Sequence, residues 1–309
     1  MNEAIVTRAL TKRYGRHAAL DGFSLSVPRS SITGLVGRNG AGKTTWMMTV
    51  AGFVHPASGE VNILGRGEFD ASVHAGRFAI LPQDSDLPDQ GRVRSLLVGY
   101  GRLQGLSGKS AAESADRLIK AFNLSDKANA TIRSLSHGMR KRVAVAQAFL
   151  GDPEVVMLDE PLSGLDPVEA DRLRSFILSQ RGKTTIVVSS HQLDDIERLC
   201  THVAFVADGK VMRMETLRAL TSDTGRIAYR LNAVPADLAP LAAACPGVGI
   251  TTDGDSLVAE FSAALSVADV NAALLPRLLE FGVTSVTPGR SLAETYLDKF
   301  AESRPRACP

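Results

Sequence analysis

The chain has 309 residues and 44% hydrophobic content, which predicts about two globular domains with a sizeable core. Thirty-five basic against 33 acidic residues leave a formal net charge of +2, so no long-range field singles out nucleic acid or an anionic bilayer as a partner. Cys200, Cys245 and Cys308 are widely spaced without a C-x-x-C pair, which argues against a disulfide framework and a zinc site and fits a reducing, cytosolic compartment.

The opening MNEAIVTRAL lacks a basic stretch followed by an apolar one, and no apolar run approaches the roughly 20 residues that cross a bilayer. Any membrane role is therefore expected through a partner. AIVTRAL and ALDGFSLSV read as a β-hairpin around the polar turn KRYGRH, closed by Pro28. Ile32 to Val36 predicts a short buried strand running into GRNGAGKTT, and TWMMTVAG a helix ending near Gly52. Val61 to Leu64 and Phe78 to Leu81 are further strands. From about Arg92 to Leu150 the pattern turns helical, and Arg140, Lys141 and Arg142 within it read as a solvated helix face. Val155 to Leu158 and Thr184 to Ser189 predict buried strands flanking a helix, the alternation of a parallel α/β sheet. Asp208-Gly209 between two apolar stretches is a hairpin signal. Beyond about Ser222 the order strand, helix, two strands, helix, strand resembles a split β-α-β-β-α-β unit. A terminal helix, SLAETYLDKF, follows it, and the second helix of the unit is read as SVADVNAALLPRLLEF although it contains Pro276, a residue that disfavours a helix interior.

Gly37 to Thr44 match G-x-x-x-x-G-K-[ST] between a strand and a helix, the context that a phosphate-binding loop requires. In the turn Gly37, Arg38, Asn39, Gly40, Ala41 and Gly42, the glycines let backbone N–H groups wrap the phosphates of ATP, and the helix N-terminus adds positive potential. Lys43 is expected to reach the β- and γ-phosphates, Thr44 to offer a hydroxyl to Mg²⁺, and Thr45 to add another phosphate donor. Asp159 and Glu160 end a buried strand at the ligand-binding edge of a parallel sheet. Asp159 suits the Mg²⁺ shell, and Glu160 suits polarisation of the water that attacks the γ-phosphate. Trp46 is the only tryptophan, and its place beside Thr45 predicts a fluorescence response to Mg-ATP.

GRNGAGKTT, LPQD, LSHGMRKR, VVMLDEPLSGLDP and VVSSHQ stand in the order and spacing of ATP-binding cassette (ABC) ATPases, and over about residues 4 to 215 the chain resembles that family. The resemblance implies a P-loop α/β fold with a parallel sheet core, an antiparallel β subdomain and a helical insertion at about 92–150. It implies that Tyr14 stacks on adenine, that Gln83 contacts Mg²⁺ or water, that His191 contacts the γ-phosphate, and that Asp166 lies in a loop at a dimer interface. It also implies that Ser136, His137, Gly138 and Met139 form the signature that completes the ATP site of a second subunit. His137 replaces a glycine of the family's LSGGQ and Met139 its glutamine. Backbone donors and the helix dipole remain, so binding is expected to be tuned rather than lost.

The resulting expectation is an ABC ATPase domain at 1–220 and a small α+β domain at 221–309, ferredoxin-like in topology, with an accessory or regulatory role. The activity implied is hydrolysis of ATP, with Mg²⁺, coupled to transmembrane transport. The partners implied are an integral membrane permease and a second copy of the chain or a homologous ATPase, on the cytoplasmic face of the membrane. No nucleic acid is expected. SLAETYLDKF resembles the tail of bacterial drug, antibiotic or polysaccharide exporters and implies export. The alternatives are a soluble ABC ATPase without transport, and an importer motor with a regulatory C-terminal domain. A small-molecule kinase explains the P-loop but neither LSHGM nor SGLD.

Overall fold

The computed structural model describes residues 2–83, 85–222, 225–262, 265–289 and 292, in two compact units, Met1–Glu215 and Thr216–Pro309. In the first unit, β1 (Glu3–Tyr14) and β2 (His17–Pro28) form a hairpin. Their pairing continues through polar residues to Arg13↔Ala18 and Tyr14↔His17, so the turn is shorter than the KRYGRH expected from polarity. Ladder hydrogen bonds are made by the backbone, and a strand face left to solvent tolerates polar side chains. β3 (Ile32–Val36), buried throughout, leads into α1 (Lys43–Val50). β4 (Ser58–Ile63) returns beside β1, giving an antiparallel sheet of order β2-β1-β4.

After α2 (Ala71–His74) and β5 (Phe78–Leu81) comes the helical segment: α3 (Val93–Leu103), α4 (Gly108–Ala121) and α5 (His137–Ala148). β6 (Val155–Asp159), α6 (Pro167–Ser179), β7 (Thr185–Ser190), α7 (Leu193–Leu199), β8 (His202–Ala207) and β9 (Lys210–Thr216) follow. The six-stranded sheet has the order β5-β6-β7-β3-β8-β9 and is parallel from β5 through β8. Its register sets Asp159 beside Ser189 and Val36 beside Ser190. The carboxyl ends of β3, β6 and β7 thus lie side by side, at the edge where such sheets bind ligands. Asp208 (φ 48°) and Gly209 (φ 72°) make the turn between β8 and β9, both left-handed as a two-residue hairpin loop demands.

α1 buries residues on several sides, among them Trp46, Met47 and Val50, and shares one core with residues of both sheets. Trp46 is fully buried, stacks on Phe23 with ring centroids 5.8 Å apart, and donates its Nε1–H to Thr7 Oγ1 at 3.1 Å. Its indole thus points into the core, so the fluorescence response expected on Mg-ATP binding would be relayed through α1 rather than made by contact with the nucleotide. The expected fluorescence is blue-shifted and poorly quenched by acrylamide. Efficient quenching in the folded protein would contradict this burial.

Arg142 also departs from the expected solvated face. It is 2% exposed and donates to the Phe122 carbonyl at 2.6 Å and the Asn123 carbonyl at 3.3 Å. Its Nε lies 2.7 Å from Glu169 Oε2. One guanidinium therefore joins the end of α4 to the first turn of α6. Neighbouring residues on a helix point to different sides, so adjacency in sequence with exposed Arg140 did not make Arg142 a surface residue.

The second unit contains α8 (Leu217–Ser222), β10 (Gly225–Leu231), α9 (Ala239–Ala244), β11 (Val248–Asp253), β12 (Ser256–Phe261), α10 (Val267–Leu278) and β13 (Val283–Pro288). The sheet order is β11-β12-β10-β13 with antiparallel pairing throughout, the ferredoxin-like arrangement of a split β-α-β-β-α-β unit. Tyr229, Leu257, Val270, Leu274 and Leu278 lie in its core. Pro276 stands inside α10, which continues to Leu278. The helix expected over SVADVNAALLPRLLEF therefore forms but ends two residues past the proline; packing of Leu274 and Leu278 on both sides of it holds the last turn.

Ser266 caps α10 and forms a reciprocal capping box with Asp269. Its serine hydroxyl hydrogen-bonds the Asp269 carboxylate, and this holds the carboxyl below its usual range. Ser266→Ala is expected to lower the stability of this unit by about 1 kcal/mol, measurable by urea unfolding. No change would show that the box contributes nothing net. Of the terminal segment SLAETYLDKF only Leu292 is among the described residues, so the helix expected there lies outside them.

Candidate active site

The site is built at the sheet edge from the ends of β3, β6 and β7. After β3 the chain turns through Gly37 to Gly42, and Gly42 sits at φ 108°. A Cβ on Gly42 would stand 2.6 Å from the Ala19 carbonyl oxygen, so both conformation and space require glycine there. Lys43 opens α1 and folds back to donate to the carbonyls of Gly37 at 2.6 Å and Arg38 at 3.2 Å. Burial lowers its pKa, opposed by the nearby carboxylates of Glu160 and Asp159. The lysine is thus a desolvated cation facing two carboxylates, poised for a polyanion.

Thr44 Oγ1 donates to Asp159 Oδ2 at 2.7 Å. Asp159 and Glu160 are both buried. Ser189 of β7 joins them: its hydroxyl donates to Asp159 Oδ1 and accepts the Glu160 N–H at 2.9 Å. Glu160 has φ 47°, a left-handed conformation that a non-glycine residue adopts at a cost on the order of 1 kcal/mol, typical of functional turns. The Nδ1 of His191 lies 3.1 and 3.0 Å from the two carboxylate oxygens of Glu160. Reading residue types at strand ends singled out Asp159 and Glu160 but missed Ser189. The serines closing the apolar run VVSS, at positions 187–190, were the available signal.

Tyr14, His17, Ala19, Asn39 to Thr45, Gln83, Asp159 and Glu160 line one cavity of about 300 Å³. Gly37 and Arg38 supply its lysine-binding carbonyls. The structure therefore brings the P-loop, Tyr14, Gln83 and the acidic pair together, with His191 held through Glu160.

The signature lies elsewhere. Ser136 is the N-cap of α5, its hydroxyl accepting the Met139 N–H at 3.2 Å. Gly138 faces Glu169 of α6, and His137 faces Gly164 of the SGLD loop. His137 lines a second hollow, of about 800 Å³, with Gln83, Asp86, Asp89 and Arg140. Asp166 caps α6 by accepting the Glu169 N–H at 2.9 Å. None of Ser136, His137, Gly138 and Met139 lines the P-loop cavity of its own chain.

A phosphate-binding loop opening a helix after a central parallel strand, with a buried acidic pair on a neighbouring strand, defines a P-loop nucleotide-binding ATPase. A family profile described as ABC transporter matches residues 20–163. The chain is 34% identical over 260 residues to the daunorubicin resistance ATP-binding protein DrrA3 of Streptomyces coeruleorubidus, covering 82% of this chain and 81% of that one. It is 36% identical over 208 residues to the Nod factor export ATP-binding protein I of Burkholderia lata, covering 66% of this chain and 67% of that one.

Among solved structures, an ATP-binding subunit of an ABC transporter superposes with a TM-score of 0.64 at 26% identity, over 70% of this chain and 91% of that one. An ATP-binding cassette described as a dimer in a post-hydrolysis state with ADP and Pi has the same fold, with a TM-score of 0.63 at 22% identity over 69% of this chain and 99% of that one. The chain belongs to the ABC transporter ATP-binding proteins and is an ABC ATPase.

Proposed function

We propose that the chain is the motor subunit of an exporter, working as a nucleotide-sandwich dimer on a separate membrane permease. The observation that carries this reading is the divided site: the P-loop, Asp159 and Glu160 share one cavity, while the signature of the same chain lies outside it. A second chain is the simplest source of Ser136 and Gly138, whose backbone N–H groups at a helix N-terminus suit a γ-phosphate. A two-fold homodimer makes both sites alike, and a homologous ATPase serves equally. Among the described residues no helix is long and apolar enough to cross a membrane, so attachment to the cytoplasmic face through a permease accounts for transport. The names of the drug-resistance and Nod-factor-export relatives support export over import. The second unit is an accessory domain appended to the motor.

In this mechanism the loop N–H groups and Lys43 bind the phosphates of ATP, and Tyr14 offers its ring to adenine. Glu160 orients the attacking water and accepts its proton, and His191, hydrogen-bonded to Glu160, steadies that carboxylate and reaches for the γ-phosphate. Gln83, lining both hollows, links the nucleotide to the helical segment. Mg²⁺ fits the donor set: the Thr44 hydroxyl and an Asp159 carboxylate oxygen approach to 2.7 Å, and Mg²⁺ is commonly held by one or two carboxylates with phosphates and waters. Thr44 and Asp159 would hold it, with Gln83 as a further oxygen donor, and it would neutralise charge on the phosphates.

Purification of the chain from native membranes tests the transport assignment. An integral membrane protein is the expected companion. Ribosomes or DNA-processing proteins in its place would move the chain to the soluble class.

A further inference from the structure

We propose that Lys12 is a positioning residue for the base of the nucleotide, acting through Tyr14. The inference rests on the reading of Tyr14 as the adenine platform. The Lys12 ammonium sits over the Tyr14 ring, 5.4 Å from its centroid, and donates to the His55 carbonyl at 2.8 Å. His55 lies in the loop that follows α1, so one side chain ties the tip of the β1–β2 hairpin to the far end of the P-loop helix. Tyr14 lines the nucleotide cavity, whereas Lys12 lies outside its lining.

Two consequences follow for the ring. Tyr14 is 52% exposed at the end of β1, and a side chain this free loses rotamer entropy when a ligand fixes it. Lys12 removes part of that loss by holding the ring before the base arrives. A cation on one face also draws π-density towards itself. The opposite face becomes poorer in electrons and accepts an electron-rich purine better in offset stacking. Lys12 thus leaves the base one face to use. The charge of Lys12 is not addressed to the phosphates, which are served by Lys43 and the loop.

The test is calorimetric titration of the full-length protein with ATP and with inorganic tripolyphosphate, which has the phosphates but no base. Lys12→Met is expected to weaken ATP roughly two- to fivefold, the range of an exposed cation–π contact, and to leave tripolyphosphate unchanged. Lys12→Arg is expected to restore ATP affinity. In a Tyr14→Leu background, Lys12→Met is expected to have no further effect. Equal weakening of both ligands points to a long-range charge effect or a loosened fold and defeats the proposal, as does an additive double variant. If Tyr14→Leu itself binds ATP like the wild type, the platform reading falls and takes this inference with it. If Tyr14→Leu weakens ATP but Lys12→Met does not, only the inference about Lys12 falls.

Discussion

Glu160→Gln is expected to bind ATP with near-normal affinity while its steady-state turnover falls by about 10²-fold or more, the usual worth of a positioned base. The amide keeps the size of the carboxyl, and the Glu160 N–H that Ser189 accepts is backbone, so the strained turn survives the substitution. What is lost is the capacity to take a proton from water. Because binding is retained while the reaction stalls, the variant should also accumulate as an ATP-dependent dimer of twice the monomer mass, read by light scattering. Retention of most turnover would remove Glu160 from its assigned role. A variant that is inactive yet monomeric at saturating ATP would leave the catalytic assignment standing and sink the sandwich dimer.

Arg142→Met should destabilise the first unit by about 3–5 kcal/mol, the cost of breaking a buried, hydrogen-bonded ion pair by removing one partner. The variant leaves the 17% exposed Glu169 carboxylate to Arg172 alone and strands the carbonyls of Phe122 and Asn123. Methionine fills much of the volume, so a cavity is not the main term. For a unit of this size the loss lowers Tm by on the order of 10 °C, measurable by thermal denaturation. Arg142→Lys is expected to recover little, since a single ammonium cannot serve the fork of acceptors on α4 and α6 together. A loss below about 1 kcal/mol would mean that Arg172, already 3.3 Å from Glu169, satisfies the carboxylate together with solvent.

Much of the site was legible because its chemistry is local. The P-loop needs glycines and a lysine within a few residues of one strand end, and Asp159-Glu160 needs only an apolar run that stops. Both are patterns in consecutive residues. The split topology of the second unit was legible for the same reason, since alternation of strand and helix limits how six elements pair. Elements whose fate is decided by neighbours distant in sequence were read less well. Arg142 looked like one of three surface cations, and only the approach of α4 and α6 turned it into an internal clasp. Trp46 looked like part of the pocket because Thr45 is, yet a helix turns about 100° per residue, which carried its indole into the core. Pro276 weakened the reading of the helix that contains it, and packing on both sides carries that helix two residues past it.

Sequence alone determined the class of chemistry, because a phosphate cradle and its acidic partner are spelled in short runs whose backbone conformation follows from glycine and strand end. The tertiary structure decided which groups act together. Ser189 lies 30 residues from Asp159, and Lys12 lies 43 from His55. Such pairs are joined by sheet register and hairpin placement, which depend on the packing of the whole unit rather than on any local pattern of residues.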